Sequence, residues 1–545
     1  MNGNRAIAKI LKAEGVEWLA AFPMNALLDE AAKEGIRPII CRQERAGVNI
    51  ADGFSRTTNG NRIGVFVMQY GAGAENAYGG VAQAHADSIP VLVLPGGQYR
   101  NRAQTHPNFQ STPNYGGVTK WVGEINLVER IPEFMHMAFT QLRHGRPGPV
   151  VVEVPTDLGN EEYPADDVDY TPAKAYRSAA SDDDVRNLVE DLLAASCPVL
   201  IAGHGVMWAE ATDELVEFAE LAKIPVMTSL CGKSGFPESH PLALGAAGNT
   251  GPQMISHFVA KTDLVLGIGT GFSKTNFAAP LPPGVRLGLV TNCGEEIGKD
   301  HRISCGALGD AKIVLRQMIE EVKRQTGAEG RPDTGVAAEV ASVKSAFLEE
   351  WAPRLHSDEI PINPYRMITE LAKAVDVDNT IITHDSGYPR NQMVPFWECN
   401  VPRSYIGWGK STQLGYGLGL AIGAKLAAPE KTVVNVMGDA AFGMAGLDIE
   451  TAVRASIPIM TVVLNNGVMT EYSSYLPYIA EHHEANKLGG EYAKLAEAQG
   501  AYAERVESPD ELGAAFQRGM AANDDGRPSL IEVMVKEEAV APKLA

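Results

Sequence analysis

Short apolar, β-branched runs alternate with helix-period stretches along the whole chain. Arg62–Met68, Val91–Leu94, Val150–Val154, Pro198–Ala202, Leu264–Ile268, Arg286–Val290, Thr432–Met437 and Ile459–Leu464 are largely apolar runs of strand length. Runs of this kind, without polar alternation, fit parallel strands buried on both faces and covered by the intervening helices. The predicted class is α/β, with mostly parallel sheets flanked by helices.

Two polar stretches interrupt the pattern. Residues 157–184 and 325–334 are rich in Pro, Gly and acidic side chains and read as linkers. They divide the chain into an N-terminal unit (1–160), a central unit (185–325) and a C-terminal unit (355–545). The length of 545 residues agrees with several domains rather than one core. The first and third units echo each other. RIGVFVMQYGAGAENAYGGVAQAHADSIPVLVLPG (62–96) and TVVNVMGDAAFGMAGLDIETAVRASIPIMTVVLNNG (432–467) share the order apolar strand, small-residue turn, Ala-bearing helix, Ser-Ile-Pro and second strand. The shared Ser88–Pro90 and Ser456–Pro458 favour two related units of one topology.

Composition narrows the partners. Apolar residues make up 45% and charged residues 21%, as in ordinary globular proteins, and the formal net charge is −20. That charge argues against nucleic acid or an anionic membrane as a general partner. No apolar run approaches the ~18–20 residues that would span a bilayer. The six cysteines form no CxxC pair and no zinc spacing, which fits buried free thiols in a reducing, cytoplasmic setting.

The strongest local signal is Gly438-Asp439-Ala440-Ala441, which closes a strand and opens a helix predicted over Ala441–Arg454. Asn465-Asn466 ends the next strand. Both features fall at the carboxyl ends of neighbouring strands, where open α/β sheets bind ligands. A carboxylate, an amide oxygen and a loop carbonyl, completed by phosphate oxygens, make a hard site suited to Mg²⁺. This pattern resembles the thiamine-diphosphate family that includes acetolactate synthase, pyruvate oxidase and the 2-oxoacid decarboxylases. The family has Gly-Asp-Gly followed, one helix and one strand later, by Asn-Asn. Acetolactate synthases often carry Ala at the third position, as Ala440 does. The resemblance implies Mg²⁺ held by Asp439, the side chain of Asn466 and the carbonyl of Val468, and the thiamine-diphosphate-binding fold for the first and third units.

Arg42–Ala46 and Ala51–Arg56 look like the segment bearing the family's cofactor-activating glutamate, here Glu44. A carboxyl group bonded to N1′ of the aminopyrimidine favours the imino tautomer, whose 4′-nitrogen takes the thiazolium C2 proton. A partly desolvated Glu suits that role. Gly409–Ala427 resembles the turn that carries an apolar wedge between the two cofactor rings; Leu414 occupies that place, and Thr412 to Leu414 meet the pyrimidine. Gly71–Asn76 resembles a loop near the pyrimidine. Asp385-Ser386-Gly387 resembles a diphosphate-contacting loop, and Phe109-Gln110 the pair lining the acetolactate synthase active site. Glu44 and Gln110 are therefore the candidate catalytic residues. Gly387, Thr412, Leu414, Gly438, Asp439, Ala440, Ala441 and Asn466 are the candidate cofactor contacts. In the family, the cofactor bridges the first unit of one subunit and the third of its partner, which implies a homodimer or homotetramer with active sites at the interface.

Some positions depart from the acetolactate synthase pattern. Thr156 replaces a Lys, Thr270-Gly271-Phe272 lacks the Arg of a Gly-Arg-Phe stretch, and Tyr475 stands where a Trp selects larger acceptors. Met24 and Asn25 replace two glycines near the substrate entrance and narrow the pocket, so Met24, Asn25, Phe109 and Tyr475 are candidate pocket residues. Gly419 gives a Gly-Leu-Gly pattern closer to 2-hydroxyacyl-CoA lyases and oxalyl-CoA decarboxylases. These differences argue against FAD and leave ADP or coenzyme A as candidate ligands of the central unit. His482-His483 reads as surface or lid; His85 and His106 read as structural or as facing the pocket. The expected activity is thiamine-diphosphate- and Mg²⁺-dependent decarboxylation and carboligation of a 2-oxo acid. The alternatives are cleavage of an acyl-CoA substrate and a regulatory homologue without catalysis.

Overall fold

The computed structural model describes residues 1–278 and 281–544. It contains three six-stranded sheets in which every strand pair is parallel. In the first, β1 (Trp18–Ala21), β2 (Arg37–Ile40), β3 (Gly64–Met68), β4 (Val91–Gly97), β5 (Trp121–Glu124) and β6 (Val150–Pro155) lie in the order β2-β1-β3-β4-β6-β5. The second contains β7 (Pro198–Ala202), β8 (Val226–Ser229), β9 (Ala243–Ala247), β10 (Leu264–Ile268), β11 (Arg286–Thr291) and β12 (Cys305–Leu308), in the order β12-β11-β10-β7-β8-β9. The third contains β13 (Thr380–His384), β14 (Tyr405–Ile406), β15 (Thr432–Gly438), β16 (Met460–Asn465), β17 (Tyr502–Val506) and β18 (Ser529–Met534), in the order β14-β13-β15-β16-β18-β17.

Counted from its own first strand, the third sheet repeats the order of the first. The echo between 62–96 and 432–467 thus reflects one topology used twice. The central sheet is different: its order is that of a doubly wound dinucleotide-type sheet. Strands β3, β6, β7 and β10 are buried along their whole length, as continuous apolar runs require. The N-terminal helix, Gly3–Ala13, buries Ala6, Ile7, Ile10 and Leu11 on one face, and Asn2 caps it by accepting the Arg5 N–H at 2.8 Å. Among the described residues, no helix is long and apolar enough to cross a membrane. All six cysteines are free thiols, but only Cys41 and Cys399 are buried. The expectation of buried thiols fails for the other four, which are partly exposed.

The first and third units meet where the Glu44–Thr57 helix packs on the Gly417–Ala427 helix. Two glycines allow the backbones to touch. A Cβ on Gly53 would lie 2.3 Å from the Leu420 carbonyl oxygen, and one on Gly423 would lie 2.1 Å from that of Ile50. Around this crossing, Arg454 donates to the Ile40 carbonyl at 2.7 Å and the Arg42 N–H donates to Asp448 at 2.8 Å.

The predicted Ala441–Arg454 helix is a correction. It is two short helices, Asp439–Ala445 and Ile449–Arg454, joined by a turn at Gly446–Asp448. Gly443 and Gly446 weaken the helix locally, and the Asp448 carboxylate is drawn to the first unit by Arg42.

Candidate active site

The third sheet changes direction of winding between β13 and β15, and ligands of open α/β sheets bind at such a switch point. Asp385, Ser386 and Gly387 follow β13 there; Gly438 and Asp439 end β15, and Asn465–Val468 follow its neighbour β16. Asp439 is buried. Its Oδ1 accepts the Ala440 N–H at 2.7 Å, and its Oδ2 accepts the Gly467 N–H at 2.9 Å, which ties the two strand ends together. Burial pushes its carboxyl above the ordinary range, and the amides of Ala440, Gly467 and Asn466 oppose that shift. Gly467 takes a positive φ of 68°, which lets the chain turn back beside Asp439. Asn466 Oδ1 accepts the Val468 N–H at 3.0 Å, and its Nδ2 donates to Thr470 Oγ1 at 2.8 Å, so the amide orientation is set.

Asp439, Asn466 Oδ1 and the Val468 carbonyl present oxygen only. Among the described residues no three His, Cys, Asp or Glu side chains are grouped to hold a metal. A cation here could bind through one carboxylate, an amide and a carbonyl with phosphate oxygens completing the shell, the pattern Mg²⁺ favours over an all-protein cage.

Asp385 is fully buried and turned inward. It accepts the N–H groups of Ser386 at 2.7 Å, Gly415 at 3.0 Å and Gly417 at 2.8 Å. Burial raises its carboxyl, and those amides lower it. Its side chain thereby shapes the segment that presents Thr412, which is exposed, and Leu414, which is half-buried against the core. Gly387 is exposed at the head of the Tyr388–Phe396 helix, and Ala440 and Ala441 follow Asp439 in its short helix. Tyr475 is 73% exposed on the short Tyr472–Tyr475 helix. His482 and His483 are exposed nearby in sequence, and His482 stacks on Tyr478 at 4.1 Å between ring centroids.

The remaining candidates lie at the carboxyl edge of the first sheet. Met24 (80% exposed, φ 78°) and Asn25 follow β1, Glu44 follows β2, and Phe109 and Gln110 follow β4. Asn25 Nδ2 donates to the Met68 carbonyl at 2.9 Å, while its Oδ1 accepts the Leu27 N–H at 3.0 Å. Glu44, 4% exposed, accepts from Asn76 Nδ2 at 3.2 Å. Phe109 packs edge-on against Tyr115, and the Gln110 carbonyl accepts from Asn114. His85 and His106 are both exposed, and desolvation, with Arg146 and Lys410 nearby, lowers the pKa of His85. Among the described residues, no hydrogen bond or ion pair links Glu44 to Asp439.

Three family profiles match the chain in order. The thiamine pyrophosphate enzyme N-terminal TPP binding domain covers residues 1–115, the central domain 185–318 and the C-terminal TPP binding domain 385–533. A probable acetolactate synthase large subunit of Methanocaldococcus jannaschii is 31% identical over 99% of this chain and 93% of its own length.

The chain belongs to the thiamine pyrophosphate enzyme family.

An acetolactate synthase isozyme 3 large subunit of Escherichia coli is 28% identical over 98% of this chain and 95% of its own length. A glyoxylate carboligase of Escherichia coli O157:H7 is 28% identical over 97% and 92%. The two TPP binding domains therefore fall in the two units of repeated topology, and the family's central domain is the doubly wound unit between them.

That central unit opens into a cavity of about 540 Å³ at its own switch point, between the ends of β7 and β10. Arg146, His204, Glu296 and Lys410 are among its lining residues. Glu296 is paired with Arg146 and, at 2.7 Å, with Lys299. Lys410 has no acidic partner within ion-pair distance among the described residues, and burial lowers its pKa. Sequence reading passed over this cavity because its walls come from all three units. The Asp52-Arg56 spacing, one helical turn, was the available signal for a buried network in which Arg56 donates to Asp52 and Asp87.

Proposed function

We propose that this protein is a thiamine-diphosphate- and Mg²⁺-dependent carboligase that decarboxylates a 2-oxo acid and joins the remaining fragment to a second carbonyl. The observation that carries this reading is the Asp439–Gly467 turn, an oxygen-only cradle at the switch point of the third sheet. When bound, thiamine diphosphate supplies a carbon nucleophile and a cationic ring that stores the electron pair released by C–C cleavage.

The chain's residues hold and aim that group. Asp439, Asn466 and the Val468 carbonyl bind Mg²⁺ and, through it, the diphosphate. Gly387 and Gly438–Ala441 line the same edge. Thr412 and Leu414 seat the pyrimidine and set the angle between the rings. Glu44 holds and releases a proton at the pyrimidine N1′; its burial beside Asn76 keeps it from bulk water. Gln110, Phe109, Met24, Asn25 and Tyr475 border the substrate.

Glu44 and Asp439 act on one cofactor across a subunit interface, in a homodimer or homotetramer. Exposed apolar side chains near both groups support that assembly: Met24 and Tyr70 near the first, and Met444, Leu447 and Tyr475 near the second. A second reading, an acyl-CoA lyase, is favoured by one observation: the unpaired Lys410 ammonium in the central cavity suits a phosphate of ADP or coenzyme A.

Incubating the protein with thiamine diphosphate, Mg²⁺ and pyruvate or other 2-oxo acids, with mass spectrometry of the products, tests the first reading. Carbon dioxide release with a ligated hydroxy-keto product is expected. Turnover of 2-hydroxyacyl-CoAs to formyl-CoA, with 2-oxo acids inert, would replace it with the second.

A further inference from the structure

The segment that faces the cofactor in this reading is held at both ends by buried carboxylates from different units. Asp385, from the third unit, takes the amides of Gly415 and Gly417. Asp87, from the last turn of the Ala72–Asp87 helix in the first unit, takes the opposite end. Its Oδ2 accepts the Gly409 N–H at 3.0 Å, and its Oδ1 accepts the Lys410 N–H at 3.0 Å.

Asp87 is itself fixed from behind. Arg56 Nη2 donates to its Oδ2 at 3.1 Å and Gln83 Nε2 at 3.3 Å. Arg56 is buried; it also donates to Asp52 at 2.7 Å, to the Gly407 carbonyl at 2.6 Å and to Tyr416 Oη. Arg56 and Asp87 thereby grip the backbone on both sides of Trp408, one through a carbonyl and one through two amides. Hydrogen bonds to a buried charge are stronger than neutral ones, and orphaning a buried amide is costly. Between the two carboxylate anchors, residues 411–414 carry no comparable bond among the described residues, so their position follows from where the ends are held.

We infer that Asp87 is a positioning residue, setting the Thr412–Leu414 turn for the cofactor from a different unit of the same chain. This rests on the reading that the turn meets thiamine diphosphate. The Glu44–Thr57 helix then has two tasks: Glu44 at its start handles a proton, and Arg56, about 18 Å along the axis, braces Asp87.

The test is Asp87→Asn. The two groups have the same shape, but one oxygen becomes an NH₂ that must face either the Lys410 amide or the Gly409, Arg56 and Gln83 donors. Amide hydrogen exchange, calorimetry with thiamine diphosphate and Mg²⁺, and NMR of the C2-proton exchange of the bound cofactor are compared with wild type. Expected are about tenfold faster amide exchange in 409–417 with residues 418–427 of the following helix within about twofold, and cofactor affinity and C2-proton exchange at saturation each lowered about tenfold. A slower C2 exchange at full saturation is a change of placement that a general loss of stability would not produce. Asp87→Asn values within about twofold of wild type in a cofactor-binding protein overturn the inference alone. Wild type that fails to bind thiamine diphosphate defeats the functional reading, and unchanged exchange in 409–417 then overturns the clamp as well. Should Asp87→Asn not fold, Asp87→Glu takes its place with the same readouts. Insolubility of both assigns Asp87 to folding and overturns the positioning role.

Discussion

Asn76 donates to Glu44 across 3.2 Å, joining the first residue of the helix after β2 to the second turn of the helix after β3. The bond fixes a nearly solvent-free carboxylate at the carboxyl edge of the first sheet, and it leaves the other Glu44 oxygen unengaged by any side chain among the described residues. An acid so placed suits exchange of a proton with a ring nitrogen.

Glu44→Gln should therefore leave thiamine diphosphate affinity within a fewfold of wild type and slow C2-proton exchange of the bound cofactor by about 10²–10⁴-fold. NMR-monitored exchange into deuterated buffer measures it. Near wild-type exchange would remove Glu44 from the mechanism.

Asp439→Ala opens the cradle at its only carboxylate. Mg²⁺-dependent binding of thiamine diphosphate should weaken at least about tenfold, a loss of about 1.4 kcal/mol or more. Calorimetry with and without Mg²⁺ checks this, and an unchanged isotherm would rule out the metal role.

Mixing the two inactive variants tests the shared site. If Glu44 serves the cofactor held by the partner's Asp439, random hybrids of Glu44→Gln and Asp439→Ala regain intact sites at about a quarter of the total. Activity that stays at the level of the single variants after subunit exchange would place both residues on the same chain's cofactor.

The helix crossing tolerates no side chain at Gly423, where a Cβ would meet the Ile50 carbonyl at 2.1 Å. Gly423→Ala should destabilise by about 1–3 kcal/mol, or more if the helices cannot separate. Urea unfolding reports it; a change below ~0.5 kcal/mol would mean that the crossing relaxes at little cost.

His384 is buried, and desolvation lowers its pKa to about 3. The unfolded chain, with an ordinary histidine near 6.5, binds this proton more readily. Stability from the neutral ring is therefore fully present above about pH 6.5 and is lost as pH falls from there toward 3, by about 1.4 kcal/mol per pH unit. Urea midpoints between pH 7.5 and 5 should fall, and His384→Gln should remove about one proton from that slope. An unchanged slope would show that His384 is protonated at little cost.

Much of this protein follows from local pattern. Apolar runs located strands such as β7 and β10 to the residue, because a strand buried on both faces carries few polar positions. The Asp439 and Asn466 turn was legible because one strand–helix–strand unit holds both residues, so their separation along the chain sets their separation in space. The repeated Ser-Ile-Pro pointed to the shared topology, which strand order then showed.

Tertiary structure decided whatever depends on contacts between units. The sequence offered one helix over 441–454, but two glycines and the pull of Arg42 on Asp448 divide it. Asp385 stood in a ligand-contacting motif; only the fold shows its oxygens spent on Gly415 and Gly417. Asp87 carried no signal, because its partners at 409 and 410 lie more than three hundred residues away. Periodicity records which face of an element is buried. Which distant backbone amide a buried charge will meet is set by the packing of units, which no stretch of sequence contains alone.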